Sequence, residues 1–181
     1  AAVAARHNIL ISGGTGTGKT TLLNAVAATI PPQDRIVLIE ETSEVLIDKP
    51  NLVRFEARRA QVPLGQEEPM PAVTIADLVR ATLRHRPDRI LVGEVRGPEA
   101  FDLLEALNTG HLGSMTTIHA NNVRDALGRL EVTLLMAGYD IPLRAMRQQI
   151  SSALNLVVQT SRLLDGRRKI IGVSEITGME G

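Results

Sequence analysis

HNILISGGTGTGKTT, residues 7–21, is an apolar run that stops at a glycine-rich turn and resumes as a helix-forming segment. Gly13, then Gly14, Thr15, Gly16 and Thr17, then Gly18, Lys19 and Thr20 complete G-x-x-x-x-G-K-[ST], with a strand-like stretch before it and Thr21 opening a helix after it. Glycines allow positive φ and close approach, so successive backbone N–H groups can turn inward on a phosphate. The following helix adds the positive end of its dipole. In this pattern Gly13 through Thr21 are the candidate nucleotide contacts, among which Lys19 reaches the β and γ phosphates and Thr20 offers its hydroxyl to a magnesium ion. The stretch therefore predicts a strand–loop–helix unit that holds ATP with Mg2+, and with it an α/β fold.

The remaining composition sets bounds. A chain of 181 residues is the size of one domain, and 20 basic against 20 acidic residues give a formal net charge of zero. Neither nucleic acid nor an anionic membrane is favoured by overall charge. Phe55, Phe101 and Tyr139 are the only aromatic residues, too few for a base-stacking surface, so no direct contact with nucleic acid is expected. There is no cysteine, which excludes disulfides, thiolate zinc sites and cysteine nucleophiles and suits a cytoplasmic setting. No apolar run approaches the roughly 18 residues of a transmembrane helix, so membrane association is expected only through partners. Little sequence precedes the phosphate loop from which to build a pocket for the base, and a segment amino-terminal to Ala1 is expected to supply it.

Taken in order, Thr21–Thr29 reads as a largely buried helix stopped by Pro31 and Pro32, and Arg35–Ile39 as a central parallel strand ending in Glu40 and Glu41. Leu52–Glu56 reads as another strand, followed by a long irregular piece, ARRAQVPLGQEEPMPA, residues 57–72. Thr74 with Asp77 forms a helix-capping pattern, and that helix is closed by Pro87 after Arg86. Arg89–Gly93 is a second central strand leading into Glu94. Pro98–Asn108 is a helix, and Ser114–Ile118 a third strand delivering His119, with His111 in the turn before it. Asn122 with Asp125 caps a further helix carrying Leu127, Leu130 and Leu134, and Pro142 begins another. Leu156–Arg162 and Lys169–Ile176 flank the turn signal Asp165-Gly166 and form a hairpin.

Open α/β sheets place ligands at the carboxyl ends of their strands. The phosphate loop, Glu40 or Glu41, Glu94 and His119 all fall at such ends, which puts a phosphate cradle, acids and an imidazole on one edge. Those are the parts of phosphoryl transfer: charge neutralisation by Lys19 and magnesium, an acid to orient water, and a group that senses the γ phosphate. All but Lys19, Lys49 and Lys169 of the basic residues are arginine. Arg80 and Arg84 read as a solvated helix face, while Arg86 and Arg96 bracket the acidic strand and are candidates for touching a nucleotide phosphate in this subunit or a neighbour's.

Four motifs in order resemble the hexameric traffic ATPases of type II and type IV secretion: ISGGTGTGKTTLLNA, RIVLIEETSE, RPDRILVGEVRGPEAFD and TGHLGSMTTIHANN. They correspond to that family's Walker A, acidic box, glutamate-bearing Walker B and histidine box, and the resemblance covers nearly the whole chain. The tail, SRLLDGRRKIIGVSEITGMEG, is most similar to the branch serving tight-adherence pili, with conjugal-transfer and type IV secretion ATPases next. The resemblance implies a RecA-like P-loop NTPase core, a mostly parallel sheet flanked by helices with a carboxyl-terminal antiparallel hairpin. It implies a single ATPase domain over residues 1–181, without the family's amino-terminal domain. It also implies a homo-hexamer in the full-length protein, peripheral to the inner membrane on its cytoplasmic side and working with inner-membrane components of a secretion or pilus machine. Catalytic roles would fall to Lys19, Glu40, Glu94 and His119, with Thr20 and Glu94 supporting magnesium. The acidic box reads Glu-Glu where many relatives have Glu-Asp, which leaves the division of roles between Glu40 and Glu41 open. The alternative from another class is a nucleic-acid motor ATPase of the RecA-like kind, which shares the core and the loop.

Overall fold

Three runs, ILISG (Ile9–Gly13, β1), IVLIE (Ile36–Glu40, β2) and RILV (Arg89–Val92, β4), are buried at every position. Continuous burial is what a parallel strand covered on both faces produces. In the computed structural model, which describes residues 1–62 and 68–179, these strands join Leu52–Glu56 (β3), Met115–His119 (β5), Leu156–Arg162 (β6) and Arg168–Glu175 (β7). The seven form one sheet in the order β3-β2-β4-β5-β1-β6-β7. All neighbours run parallel except β6 and β7, whose antiparallel hairpin closes one edge. The expected mixed sheet is what forms.

Alternate side chains of the strands enter two separate cores. Leu10, Val37, Ile39, Ile90, Val92 and Ile118 face four helices, Ile75–Thr82 (α2), Glu99–Asn108 (α3), Val123–Met136 (α4) and Leu143–Ala153 (α5). Ile9, Ile11, Ile36, Leu38, Leu91 and Met115 face Lys19–Ala27 (α1) together with Ile30, Val45 and Ile47. One face thus carries four helices and the other a single short one. That asymmetry corrects one expectation: α1 begins at Lys19 and is not largely buried. Only Leu23 and Ala27 are buried along it, and Thr21 and Ala25 face solvent, because among the described residues no second helix lies outside them.

The other helix signals hold, with shifted ends. Thr74 and Asp77 form the reciprocal capping box, and α2 gives way at Leu83–His85 to a 3-10 turn before Arg86 takes a left-handed conformation at φ 49°. Asn122 accepts from the backbone of Asp125 at the start of α4. The piece read as irregular, residues 57–72, starts and ends as a narrow antiparallel ribbon: Arg58 exchanges backbone bonds with Val73 at 2.9 and 2.8 Å, and Gln61 pairs with Met70. Its middle, residues 63–67, lies outside the described residues.

Two buried polar hubs hold the amino-terminal ends of the strands. The Asn8 side chain accepts from the backbone N–H of Gly113 at 2.8 Å and Ser114 at 3.0 Å and donates to the Ala153 carbonyl at 2.7 Å, tying the entries of β1, β5 and β6. Arg89, 1% exposed, donates to Asp34 at 2.7 Å and to the Gly113 carbonyl at 3.2 Å, and Arg6 reaches the other oxygen of Asp34 at 3.1 Å. The opposite, carboxyl-terminal edge is left for the loops.

Candidate functional site

The loop after β1 is built by positive φ at two glycines, 68° at Gly16 and 94° at Gly18, so that α1 starts at Lys19 with its first amides directed into the turn. Its base is fixed by threonines. Thr17 Oγ1 donates to the Gly14 carbonyl at 2.9 Å and pairs at 2.9 Å with Thr160 Oγ1, which itself donates to the Ser12 carbonyl at 3.0 Å. A Cβ at Gly13 would run into both threonine hydroxyls, so only glycine fits there. Nothing lies within 4 Å of a Cβ placed at Gly16, so the bowl of the loop is open. Lys19 Nζ spans the loop to the Gly14 carbonyl at 3.0 Å. Burial pushes its pKa below the usual lysine value; Glu94 pulls the other way and Arg96 adds to the lowering.

A cleft of about 1260 Å³ opens beside the loop along the carboxyl edge. Thr15, Gly16, Lys19 and Thr20 form one wall; Glu40 and Glu41 from the end of β2, Glu94 after β4 and His119 at the end of β5 form the other. The strand register explains the convergence, since Gly13 pairs with His119 across β1 and β5. Loop, acids and imidazole meet in one place, as the strand-end argument anticipates. Thr20 and Glu94 lie in the same cleft, and their hydroxyl and carboxylate suit a hard cation with oxygen ligands and retained water.

The two acids of the box are treated differently. Glu40 is 5% exposed, and its Oε1 accepts the backbone N–H groups of Glu44 at 2.9 Å and Val45 at 2.8 Å; its Oε2 has only Arg54 Nη1 nearby, at 3.8 Å. Gly93 makes room for it, because a Cβ there would sit 3.3 Å from Glu40 Cγ. Glu41 is turned outward and pairs with Arg96 at 3.1 Å and Arg59 at 3.6 Å. Arg96 also clasps Glu94 at 2.6 Å, and that hydrogen bond, ahead of the other neighbouring carboxylates, raises the arginine above its usual pKa.

Two arginine expectations separate here. Arg96 lines the cleft, whereas Arg86 lies before β4, at the opposite, amino-terminal edge of the sheet, and is not part of this chain's cleft. Thr21 likewise faces solvent on α1 and does not line the cleft. Arg80 is ion-paired to Asp77 at 2.7 Å and Asp102 at 3.3 Å. His111 gives its Nδ1 to the Ala106 carbonyl at 3.0 Å, a turn contact far in function from His119.

Sequence reasoning missed several contributors. Glu99, 8% exposed, accepts from the backbone of Arg96 at 2.7 Å and Gly97 at 2.9 Å and so shapes the turn that carries Glu94 and Arg96. Its place in the first turn of a helix after Pro98 was the available signal. Arg129 donates to the His119 carbonyl at 2.8 Å, Thr117 donates to the Gly93 carbonyl at 2.8 Å, and Thr160 clamps the phosphate loop. These contacts join residues far apart in the chain, and no local pattern announces them.

Known proteins resemble this chain in sequence and in fold. The family model described as "Type II/IV secretion system protein" matches residues 1–172. A putative conjugal transfer protein of Mycobacterium tuberculosis is 43% identical over 99% of this chain and 49% of its own length. The conjugal transfer protein TrbB of Rhizobium radiobacter is 42% identical over 99% of this chain and 50% of its own. Among solved structures, the VirB11 ATPase of the Brucella suis type IV secretion system, in complex with sulphate, superposes with a TM-score of 0.83 at 32% identity, covering 96% of this chain and 51% of that one. The chain spans about half the length of the curated relatives it matches. It belongs to the type II/IV secretion system protein family.

Proposed function

We propose that the chain is the nucleotide-hydrolysing domain of a secretion ATPase that works as a ring on the cytoplasmic side of the inner membrane and powers pilus assembly, protein secretion or conjugal transfer. The observation that carries this reading is the single cleft in which Lys19 and Thr20 face Glu40, Glu94 and His119. A relative of the same fold is described as an ATPase that binds sulphate, an anion of the shape a phosphate cradle accepts. Among the described residues no helix is long and apolar enough to cross a membrane, so in this reading force is delivered through membrane partners.

In the working cycle Lys19 exchanges its bond to the Gly14 carbonyl for phosphate oxygens, and the loop amides hold the β phosphate. Magnesium, held by Thr20 and by Glu94 through water, would neutralise charge building on the phosphates. Arg96 must then release Glu94, which it clasps in this state. Glu40 keeps Oε1 on the loop amides and offers Oε2 to the attacking water, while His119 at the end of β5 faces the γ position. The test uses calorimetry and phosphate release on the full-length protein. Lys19→Ala loses ATP binding, whereas Glu94→Gln keeps it and loses at least about a hundredfold in turnover. Turnover of Lys19→Ala at the wild-type rate would sink the proposal.

A further inference from the structure

His119 stands at the very end of β5, where the sheet gives it little support. Pairing with β4 stops at Val92 with Thr116, and Gly13 with His119 is the last pair along β1. Among the described residues its imidazole has no hydrogen-bond partner, so the place of the ring depends on the backbone that carries it. Two side chains hold that backbone. Arg129 Nη1 on α4 donates to the His119 carbonyl at 2.8 Å, and Gln159 Nε2 on β6 donates to the next carbonyl, that of Ala120, at 3.2 Å. Two consecutive carbonyls are thus fixed from two different elements, just where the sheet's own ladder runs out.

Gln159 is an expensive residue for its position. It is 4% exposed, and its register partner on β1 is Ser12, itself fully buried and paired on the other side with Ile118. Among the described residues neither Gln159 Oε1 nor Ser12 Oγ has a hydrogen-bond partner. A buried carboxamide with an unpaired oxygen costs stability that an apolar side chain of the same length would not. Stability alone therefore does not account for a glutamine here, whereas its bond to the strand end that carries His119 does. Gln159 does not line the cleft, so it acts on a nucleotide only through another residue. The next residue of β6, Thr160, holds the phosphate loop through the Ser12 carbonyl and Thr17. Adjacent side chains of one strand, on opposite faces of the sheet, set the histidine and the loop relative to each other.

We propose that Gln159, together with Arg129, is a positioning residue for His119: their bonds to two successive carbonyls hold the imidazole at the γ position, so that removing either weakens recognition of the terminal phosphate and leaves binding of a diphosphate intact. The proposal rests on the reading of the cleft as a triphosphate site in which His119 meets the γ phosphate, and the two can fail separately. Titration calorimetry of the full-length protein with magnesium ADP and with magnesium β,γ-imido-ATP decides it, the readout being the ratio of the two affinities. Gln159→Met keeps the length of the side chain and removes its donor. It exchanges the unpaired Gln159 oxygen for an unpaired Ala120 carbonyl, so the melting temperature stays near the wild-type value. The preference for the triphosphate analogue is expected to fall on the order of tenfold, the scale of one hydrogen bond to a charged group, with ADP unchanged within about twofold. Arg129→Ala, at an exposed position, acts in the same direction and carries the test if Gln159→Met does not fold. In a His119→Ala background, which itself loses the preference, neither substitution lowers it further, because the group they position is gone. Wild-type preference in Gln159→Met or Arg129→Ala, equal weakening of both ligands, or losses that add to that of His119→Ala overturn the positioning role. If His119→Ala keeps the full preference, the reading of the histidine fails and the proposal falls with it; if Lys19→Ala keeps both ligands, the cleft reading itself fails and takes the proposal with it.

Discussion

In the proposed cycle Glu40 would carry two duties on its two oxygens. Oε1 is committed to the amides of Glu44 and Val45, which would otherwise be unpaired beneath the loop, and Oε2 is left to the cleft. Glutamine can keep the first duty, since its amide oxygen still accepts both N–H groups, but it has no basic oxygen for the second. Alanine loses both. We therefore expect Glu40→Gln to melt like the wild type, bind nucleotide normally and lose turnover, whereas Glu40→Ala also loses about 1–3 kcal/mol of stability from the orphaned amides. Denaturant midpoints and phosphate release on the two variants check this. A Glu40→Gln protein that hydrolyses at full rate assigns the water to another residue, Glu41 first. At this scale the sequence shows that a carboxylate stands at the end of β2 but not which of two adjacent ones faces inward. That choice is made by amides four and five residues on and by the missing Cβ of Gly93.

Among the elements, α2 has its start written in its own sequence on both sides of the cap. Thr74 and Asp77 cap each other, and the same contacts, the Thr74 side chain first, then its backbone and Arg80, hold the Asp77 carboxyl down at about 2. A carboxylate depressed from 3.8 to about 2 stabilises the fold at neutral pH and loses that contribution as pH falls from about 4 through about 2. The group is exposed, so the effect is small. Thr74→Ala is expected to cost about 1 kcal/mol in urea denaturation, and the difference between variant and wild type should shrink below about pH 3 as Asp77 protonates. A difference unchanged by acid would show that the cap does not depend on the Asp77 charge. By contrast, the exposure of α1 was not legible: its apolar spacing looks like that of a covered helix, and only the distribution of helices over the two faces reveals that no described helix covers it. The Arg89–Asp34 pair and the Asn8 hub were hidden for a related reason, being contacts over 55 and over 100 positions whose residues look like surface ones in the sequence.

For the whole molecule, the order of the strands matters more than any one of them. The phosphate loop, Glu40, Glu94 and His119 line one cleft at one edge of the sheet, and Arg86, exposed at the other edge in a left-handed turn, is not among the residues that line it. If Arg86 serves a nucleotide at all, it serves one held by a neighbouring subunit, and a ring is the arrangement that presents one chain's amino-terminal strand edge to another's cleft. Arg86→Ala should then leave the ADP affinity of the unassembled protein unchanged and lower the turnover of the assembled ring, on the order of a hundredfold where an arginine is supplied in trans. Mixing distinguishes this from a local effect. Lys19→Ala subunits are inactive in their own cleft but still carry Arg86, so combining them with Arg86→Ala subunits rebuilds some complete sites. Recovered phosphate release in the mixture, above that of either variant alone, is the expected result. A mixture no more active than its parts would confine Arg86 to its own chain, where the sheet gives it no site to serve.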